Sequence, residues 1–169
     1  SDLIEEDGLT QKQINNLWVD VTYKLTSNAA NNVAVLNQAI AVAKAQNKGI
    51  RCAPRAAINL NADVDFSGVK YVDFKADITT SGMVIIGGFS NSAPICNFEF
   101  AAVTNNTNVV SATPPLTPVF RIFGLKNSKL KIGNCNYLQI YADPASTATN
   151  STAYNDIELS GTISKFEII

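Results

Sequence analysis

Three carboxylates near the end of the chain have side-chain types and spacing that would suit glycoside hydrolysis. Asp156 and Glu158 are two residues apart, and Asp143 stands at the opposite end of the loop that precedes them. Because alternate side chains of a β-strand point to the same face, Asp156 and Glu158 would lie about 7 Å apart. Hydrolysis of a glycosidic bond uses two carboxylates about 5 to 9.5 Å apart. These three are the candidate catalytic residues; the alternative is that they are ordinary solvent-facing charges.

Four further aspartates surround an earlier pair of predicted strands. Asp65 and Asp73 occupy outward positions, while Asp63 and Asp77 lie at the ends. Aspartates in such places typically accept hydrogen bonds from nearby turns. We therefore predict that they make turn and edge contacts or cover the helix predicted at residues 29–48. Glu99, between two phenylalanines, points outward by the same alternation.

Polysaccharide binding is a second candidate chemistry. Sugar sites combine aromatic surfaces with a few polar groups. Tyr137, Tyr141 and Tyr154 lie near two polar loops, residues 104–118 and 143–154, which are rich in Asn, Ser and Thr. Ordinary solvent loops have the same composition, so both interpretations of these loops stay open.

The composition excludes several other chemistries. The chain of 169 residues has no histidine, and its three cysteines, Cys52, Cys96 and Cys135, are widely spaced. Ser-His-Asp and Cys-His catalysis are therefore absent from this segment, as are the close cysteine pairs of a zinc site. We predict no metal and no cofactor. We expect buried free thiols, because Cys96 and Cys135 occupy apolar positions of predicted strands.

Charge and hydropathy exclude two classes of partner. The net charge is -1, and the sequence has no basic patch of the kind that binds nucleic acid. Its longest apolar runs are too short to span a bilayer, so we expect no membrane insertion. Hydrophobic residues make up 46% of the chain and charged residues 16%, a balance that favours a packed fold over disorder.

The most secure predicted element is a helix over residues 29–48. Residues 26–28, Thr-Ser-Asn, offer N-terminal caps, and Gly49 follows as a C-terminal cap. Apolar residues recur along it at helical spacing: Val33, Leu36, Ile40 and Ala43.

Residues 1–25 are predicted to form a linker or neck with a short helix and a first strand. Thr10 would cap the helix, and residues 19–25 alternate as a strand does. The apolar face of the helix would consist of Ile14, Leu17 and Trp18. This helix is either a docked terminus or a neck that packs on copies of itself.

Short strands with turn residues at the corners recur through the rest of the chain. Residues 64–74 and 130–140 carry apolar residues at the same five relative positions, and residues 157–168 carry a stretched version. Such a repeat is typical of a β-solenoid whose inward residues contact one another from coil to coil. Because a solenoid needs a cap and the last repeat ends on apolar residues, we expect the native protein to continue beyond residue 169.

Residues 26–80 follow an order of elements known from one family of solenoids. A helix that includes residues 35–44 leads into residues 48–54, a strand that ends in a proline; Ile58-Asn59-Leu60 and residues 64–74 follow. This order resembles the beginning of pectate-lyase-like right-handed β-helix proteins. The resemblance implies a mainly β fold for residues 26–169, a right-handed parallel β-helix with an N-terminal capping α-helix.

Within that family the chain is most similar in character to bacteriophage tailspikes. The resemblance implies a homotrimer located in the virion and folded in the cytoplasm of the bacterial host. Its partners would be bacterial surface polysaccharide and an upstream virion-attachment domain or other tail proteins. Residues 1–169 would be mainly scaffold, because active sites in these proteins usually lie further along the helix.

The resemblance implies a complete protein that binds host polysaccharide and degrades it. The sequence lacks the acidic calcium cluster of cell-wall pectate lyases, which tailspikes do not need. Two alternatives remain. One is an adhesive or structural spike without enzyme activity, and the other is an extracellular β-helix lyase or hydrolase unrelated to phage.

Overall fold

The computed structural model describes residues 5–6, 9–53, 58–89, 94–105, 120–141 and 155–169. The helices are α1 (Gln11–Asn16) and α2 (Ala29–Gln46). The strands are β1 (Glu5–Glu6), β2 (Leu9–Thr10), β3 (Trp18–Asp20), β4 (Gly49–Cys52), β5 (Ile58–Leu60), β6 (Val64–Asp65), β7 (Tyr71–Lys75), β8 (Ile78–Thr80), β9 (Val84–Gly87), β10 (Ile95–Asn105), β11 (Phe120–Phe123), β12 (Lys129–Tyr141), β13 (Asp156–Leu159) and β14 (Ile163–Ile168).

Strands β3 to β14 form one curled sheet in which every pairing is parallel, whereas β1 and β2 form a separate antiparallel pair. The first stack of strands runs β3-β4-β7-β10-β12-β13. The second runs β5-β8-β10-β12-β14, and the third runs β6-β9-β11-β12-β14. A mainly β fold of this form, with α2 beside it, is consistent with the predicted solenoid.

Inward side chains of successive coils lie directly beside one another in register. In the first stack, Phe98 pairs with Phe74 on one side and with Leu130 on the other, and all three are fully buried. Phenylalanine rings also meet within β10, where the centroids of Phe98 and Phe100 are 5.4 Å apart, and between the first and third stacks, where those of Phe100 and Phe120 are 5.6 Å apart. Burying such a side chain contributes roughly 1.5–3 kcal/mol, so these columns form the stabilising core.

The predicted repeat is confirmed for two of its copies. All five apolar positions of residues 130–140 pair in register with those of residues 157–168: Leu130 with Ile157, Ile132 with Leu159, Cys135 with Ile163, Leu138 with Phe166 and Ile140 with Ile168. The two segments are therefore neighbouring coils whose inward residues stack as the repeat predicts.

The third copy, residues 64–74, lies out of phase with the other two. It begins in the third stack with β6 and ends in the first stack with β7. Val64 therefore pairs with Ile86 of the third stack and does not lie in the first stack, to which Leu130 belongs. In short strands on either side of a corner, inward and outward residues alternate in the same way, whichever corner of the coil the strands flank. Spacing alone therefore cannot show which corner a segment occupies.

Helix α2 begins as predicted but ends earlier. Asn28 is the N-cap, and its Oδ1 accepts a hydrogen bond from the Asn31 backbone N–H at 2.9 Å. The predicted end at residue 48 with a Gly49 cap is wrong. Asn47 adopts the left-handed conformation instead, with φ 51°, and the Lys48 N–H donates to the Ala43 carbonyl. Asparagine tolerates this conformation, so Gly49 is free to begin β4.

The buried face of α2 lies against the first coil, where a capping helix was expected. Leu36, Ala39, Ile40 and Ala43 are buried, and the helix contacts β3, β4, β5 and β6. Asn32, with none of its surface exposed, fixes the start of the helix. Its Nδ2 donates to the carbonyls of Thr26 and Asn59 at 2.6 and 2.9 Å, and its Oδ1 accepts from the Thr26 N–H at 2.7 Å.

The strand predicted over residues 19–25 is wrong beyond Asp20. Asp20 Oδ1 accepts from the Thr22 N–H at 2.8 Å, and the Lys24 N–H donates to the Val21 carbonyl at 3.0 Å. These local bonds make a turn, which competes with strand pairing. Trp18, predicted on the face of the short helix, is instead the first residue of β3 and pairs with Gly49.

Candidate functional site

The candidate catalytic carboxylates of β13 lie opposite lysines. Asp156 and Glu158 are exposed on the outward side of the strand, in register with Lys129 and Lys131 of β12. Glu158 Oε1 lies 3.2 Å from Lys131 Nζ. The third candidate, Asp143, lies outside the described residues. The proposed trio stays a prediction, and the structure gives Glu158 a role as an ion-pair partner.

The pairing of Asp156 with Lys129 belongs to a ladder of polar side chains on the outer face of the first stack. From β3 to β13 its members in register are Asp20, Arg51, Asp73, Asn97, Lys129 and Asp156. Arg51 Nε lies 3.7 Å from Asp20 Oδ2, and Asn97 Nδ2 donates to Asp73 Oδ1 at 3.0 Å. Directly opposed charges of opposite sign each contribute roughly 0.2–1 kcal/mol to a sheet. The ladder therefore gives most of these residues a structural role.

Two of the earlier aspartates make the predicted turn and edge contacts. Asp65 Oδ1 accepts from the Ser67 N–H at 2.9 Å and from the Phe89 N–H at 3.0 Å. Asp63 Oδ1 accepts from the Ile85 N–H at 2.8 Å. Both carboxylates thus join neighbouring coils through backbone groups.

Beside the ladder, the first residues of several strands form a depression that we call the aromatic cleft. Trp18, Gly49, Tyr71 and Ile95 begin β3, β4, β7 and β10 in turn. Two adjoining hollows of about 400 and 450 Å³ share Trp18 and Tyr71 in their walls. The polar residues that line the cleft are Lys70, Asp73, Asn97, Asn127 and Lys129, with Asn47 at one end.

Gly49 leaves the space that the indole of Trp18 occupies. A Cβ at this position would lie 2.5 Å from Trp18 Cζ3 and 3.0 Å from the Tyr71 carbonyl oxygen, so any side chain would displace the ring. Tyr71 is 42% exposed, and Lys70 Nζ lies 5.4 Å from the centroid of its ring. The cleft thus presents an accessible aromatic surface with a cation beside it.

The sequence analysis did not identify Trp18 and Tyr71 as site residues. One local signal was available, because Tyr71 precedes the inward Val72 and must point outward by alternation. The signal that joins Tyr71 to Trp18 is not local. It depends on the register of β3, β4 and β7, which residue spacing does not contain.

A second polar cluster, which we call the Tyr137 network, lies on the outer face of the third stack. Gln139 pairs in register with Arg121 and Glu167. Arg121 Nε donates to Gln139 Oε1 at 2.5 Å, and Gln139 Nε2 donates to Glu167 Oε2 at 2.7 Å. The Tyr137 hydroxyl donates to Glu167, and Lys165 Nζ lies 3.0 Å from Glu167 Oε1. These contacts link three neighbouring strands.

The network determines the charge state of its single carboxylate. Hydrogen bonds from Tyr137 and Gln139 and the contact with Lys165 lower the pKa of Glu167 to about 2. Tyr137 is only 3% exposed, and Lys165 Nζ lies 4.3 Å from the centroid of its ring. Tyr137 is therefore buried and does not offer the open aromatic surface that one of the two interpretations requires. The Tyr141 side chain, Tyr154 and nearly all of the two loops lie outside the described residues.

The three cysteines are free and buried, as predicted. Burial raises the pKa of the Cys135 thiol to about 12 and raises the pKa of Cys96 further still. Both thiols are therefore protonated at neutral pH and are poor nucleophiles.

Comparison of the chain with protein-family models, with curated proteins and with solved structures returned no match. In the described parts of the chain, no group of three His, Cys, Asp or Glu side chains is placed to hold a metal ion. A search of the same residues finds no helix with the length and hydropathy needed to cross a membrane.

Proposed function

We propose that the chain is the N-terminal part of a right-handed β-helix spike and that its aromatic cleft binds bacterial surface polysaccharide. The observation that carries this proposal is the cleft itself, where Trp18 and Tyr71 lie beside amide and charged side chains. Tyrosine and tryptophan offer an apolar face and a polar tip, and binding sites combine such surfaces with a few polar groups. A sugar ring also has an apolar face and polar groups, so its surface is complementary to that of the cleft.

The direction of the cleft favours a linear polymer. It runs across the strands, from Trp18 on β3 to Lys129 on β12, through β4, β7 and β10. Adjacent strands are about 4.8 Å apart, so the cleft is about 19 Å long. A length of that order suits several linked sugar units better than one small molecule.

The wider parts of the proposal rest on the order of elements in the sequence. They are the tailspike class, the homotrimer, the location in the virion, an upstream attachment domain and degradation of polysaccharide by the complete protein. A spike that binds without cleavage is the second candidate. It is favoured by the pairing of Glu158 with Lys131, which occupies one of the predicted catalytic carboxylates.

The proposal predicts that Tyr71→Ala weakens binding to polysaccharide. The purified chain would be tested on an array of bacterial surface polysaccharides, with affinities measured by biolayer interferometry. We expect a loss of about tenfold, which corresponds to about 1.4 kcal/mol of lost contact. Tyr71→Phe keeps the ring and should bind within about twofold of wild type, on the same scale.

Tyr23→Ala is the matched control, because Tyr23 is 93% exposed and lies outside the cleft lining. It should bind like the wild type. Unchanged binding by Tyr71→Ala would remove the cleft as the site of contact. Absence of binding to every polysaccharide, by a chain that circular dichroism shows to be folded, would refute the proposed function.

A further inference from the structure

We infer that the aromatic cleft prefers an acidic polysaccharide, whose carboxylate lies at Lys129 while a neighbouring sugar ring contacts Tyr71. This inference rests on the proposed function and specifies its substrate class. The first observation is the sign of the charge. Among the described residues that line the cleft, Lys70 and Lys129 are cations and Asp73 is the anion, whereas the whole chain has a net charge of -1.

The second observation concerns the partners of these charges. Lys129 and Lys131 have equivalent positions opposite β13, facing Asp156 and Glu158. Lys131 forms its ion pair with Glu158 at 3.2 Å. Within the described residues, Lys129 has no carboxylate within 4.0 Å and instead lines the cleft. Its ammonium group is available to a carboxylate from outside the chain.

Among the described residues that line the cleft, the anion Asp73 is already engaged. Asp73 accepts the Asn97 amide at 3.0 Å and faces Arg51 in register. Lys70 is placed beside the Tyr71 ring, at 5.4 Å from its centroid. An acidic sugar on Tyr71 would therefore have Lys70 beside the ring, with Lys129 in the lining of the same cleft. Hydrogen bonds between an ammonium and a carboxylate are roughly twice as strong as neutral ones.

The test compares the strongest polysaccharide ligand of the array with the same polymer after its carboxyl groups have been reduced to alcohols. The inference predicts that this strongest ligand is acidic and that reduction weakens binding about tenfold, a change of about 1.4 kcal/mol. Lys129→Gln should weaken binding of the native polymer by a similar factor and leave the reduced polymer unaffected. Lys129→Arg should restore binding, because it keeps the charge.

Lys75→Gln is the control, because Lys75 is a lysine of β7 outside the cleft lining. It should bind like the wild type. A neutral strongest ligand, or an equal loss for the native and reduced polymers in Lys129→Gln, would overturn the inference and leave the proposed function standing.

Failure of the proposed function itself has a different signature, in which no polymer binds or Tyr71→Ala has no effect. Self-association of the chain that Tyr71→Ala abolishes would identify a second copy as the occupant of the cleft. That result would overturn both proposals.

Discussion

Glu167 shows how neighbouring strands determine the behaviour of one side chain. It is 35% exposed, yet it accepts hydrogen bonds from Tyr137 and Gln139 and contacts Lys165. All of these partners favour the ionised carboxylate, which is why its pKa falls to about 2. A general acid for glycoside hydrolysis must carry a proton, so Glu167 is unsuited to that role at neutral pH.

The same pKa shift predicts a pH dependence of stability. Since the pKa is lower in the folded state than the ordinary value of 4.5, Glu167 stabilises the fold above about pH 4.5. This stabilisation is lost as the pH falls from there towards 2. We therefore expect Glu167→Gln to be less stable than wild type at pH 7, with a difference that shrinks at pH 3. Urea unfolding at pH 7, 5 and 3 measures both effects.

Glu158→Gln is the control for this series, because its ion pair with Lys131 is largely exposed. Exposed ion pairs contribute about 0–1 kcal/mol, so this variant should differ little from wild type. A difference between Glu167→Gln and wild type that is constant from pH 7 to pH 3 would contradict the pKa assigned to Glu167.

At the scale of elements, α2 depends on one buried amide. Asn32 satisfies the N–H and carbonyl of Thr26 and the carbonyl of Asn59, and thus joins the start of the helix to β5 of the first coil. No apolar side chain can replace these three bonds. Each buried polar group left without a partner costs about 1–3 kcal/mol.

We predict that Asn32→Leu lowers the free energy of unfolding by about 2–3 kcal/mol, because it leaves three part-buried backbone groups without their partner. Chemical denaturation followed by circular dichroism measures this loss. Asn37→Leu makes the same change at an exposed position of the same helix and should stay within about 0.5 kcal/mol of wild type. Equal effects of the two variants would show that Asn32 has no special role.

The elements also show which features local sequence can predict. Helix α2 and the strands at residues 130–140 and 157–168 were predictable, because each has a periodic pattern of its own. The cap at Asn47 was missed, because Gly49 offered the more usual residue for that conformation. The corner that residues 64–74 occupy was not predicted, and Trp18 and Tyr71 were missed as site residues, because both depend on which strands pair. Register is set by the pairing of segments that are far apart in the sequence, so a local pattern does not contain it.

At the scale of the whole molecule, the described outer faces carry a ladder, a network and a cleft, and the cleft shares Asp73, Asn97 and Lys129 with the ladder. The first stack carries paired charges, and the third carries the Tyr137 network around Gln139. The aromatic cleft presents exposed aromatic and polar groups in a concave arrangement. This arrangement is consistent with the proposed sugar-binding scaffold.

We accordingly predict no cleavage of polysaccharide by residues 1–169. Glu158 is ion-paired with Lys131, and Glu167 is deprotonated at neutral pH, so Glu167 is unsuited to donate a proton to a leaving group. The measurement is the release of reducing ends and unsaturated products from a polysaccharide that binds the chain. Turnover that Asp156→Ala or Glu158→Ala abolishes would show that the predicted catalytic carboxylates are active.

The position of Trp18 has a practical consequence. It is the single tryptophan of the chain, and its indole lines the aromatic cleft above Gly49. Excitation of tryptophan therefore reports on this one place, with no background from a second indole. The protein carries its own optical probe, and its emission can follow titrations with unlabelled polymers whose chain lengths are mixed and whose molar mass is undefined.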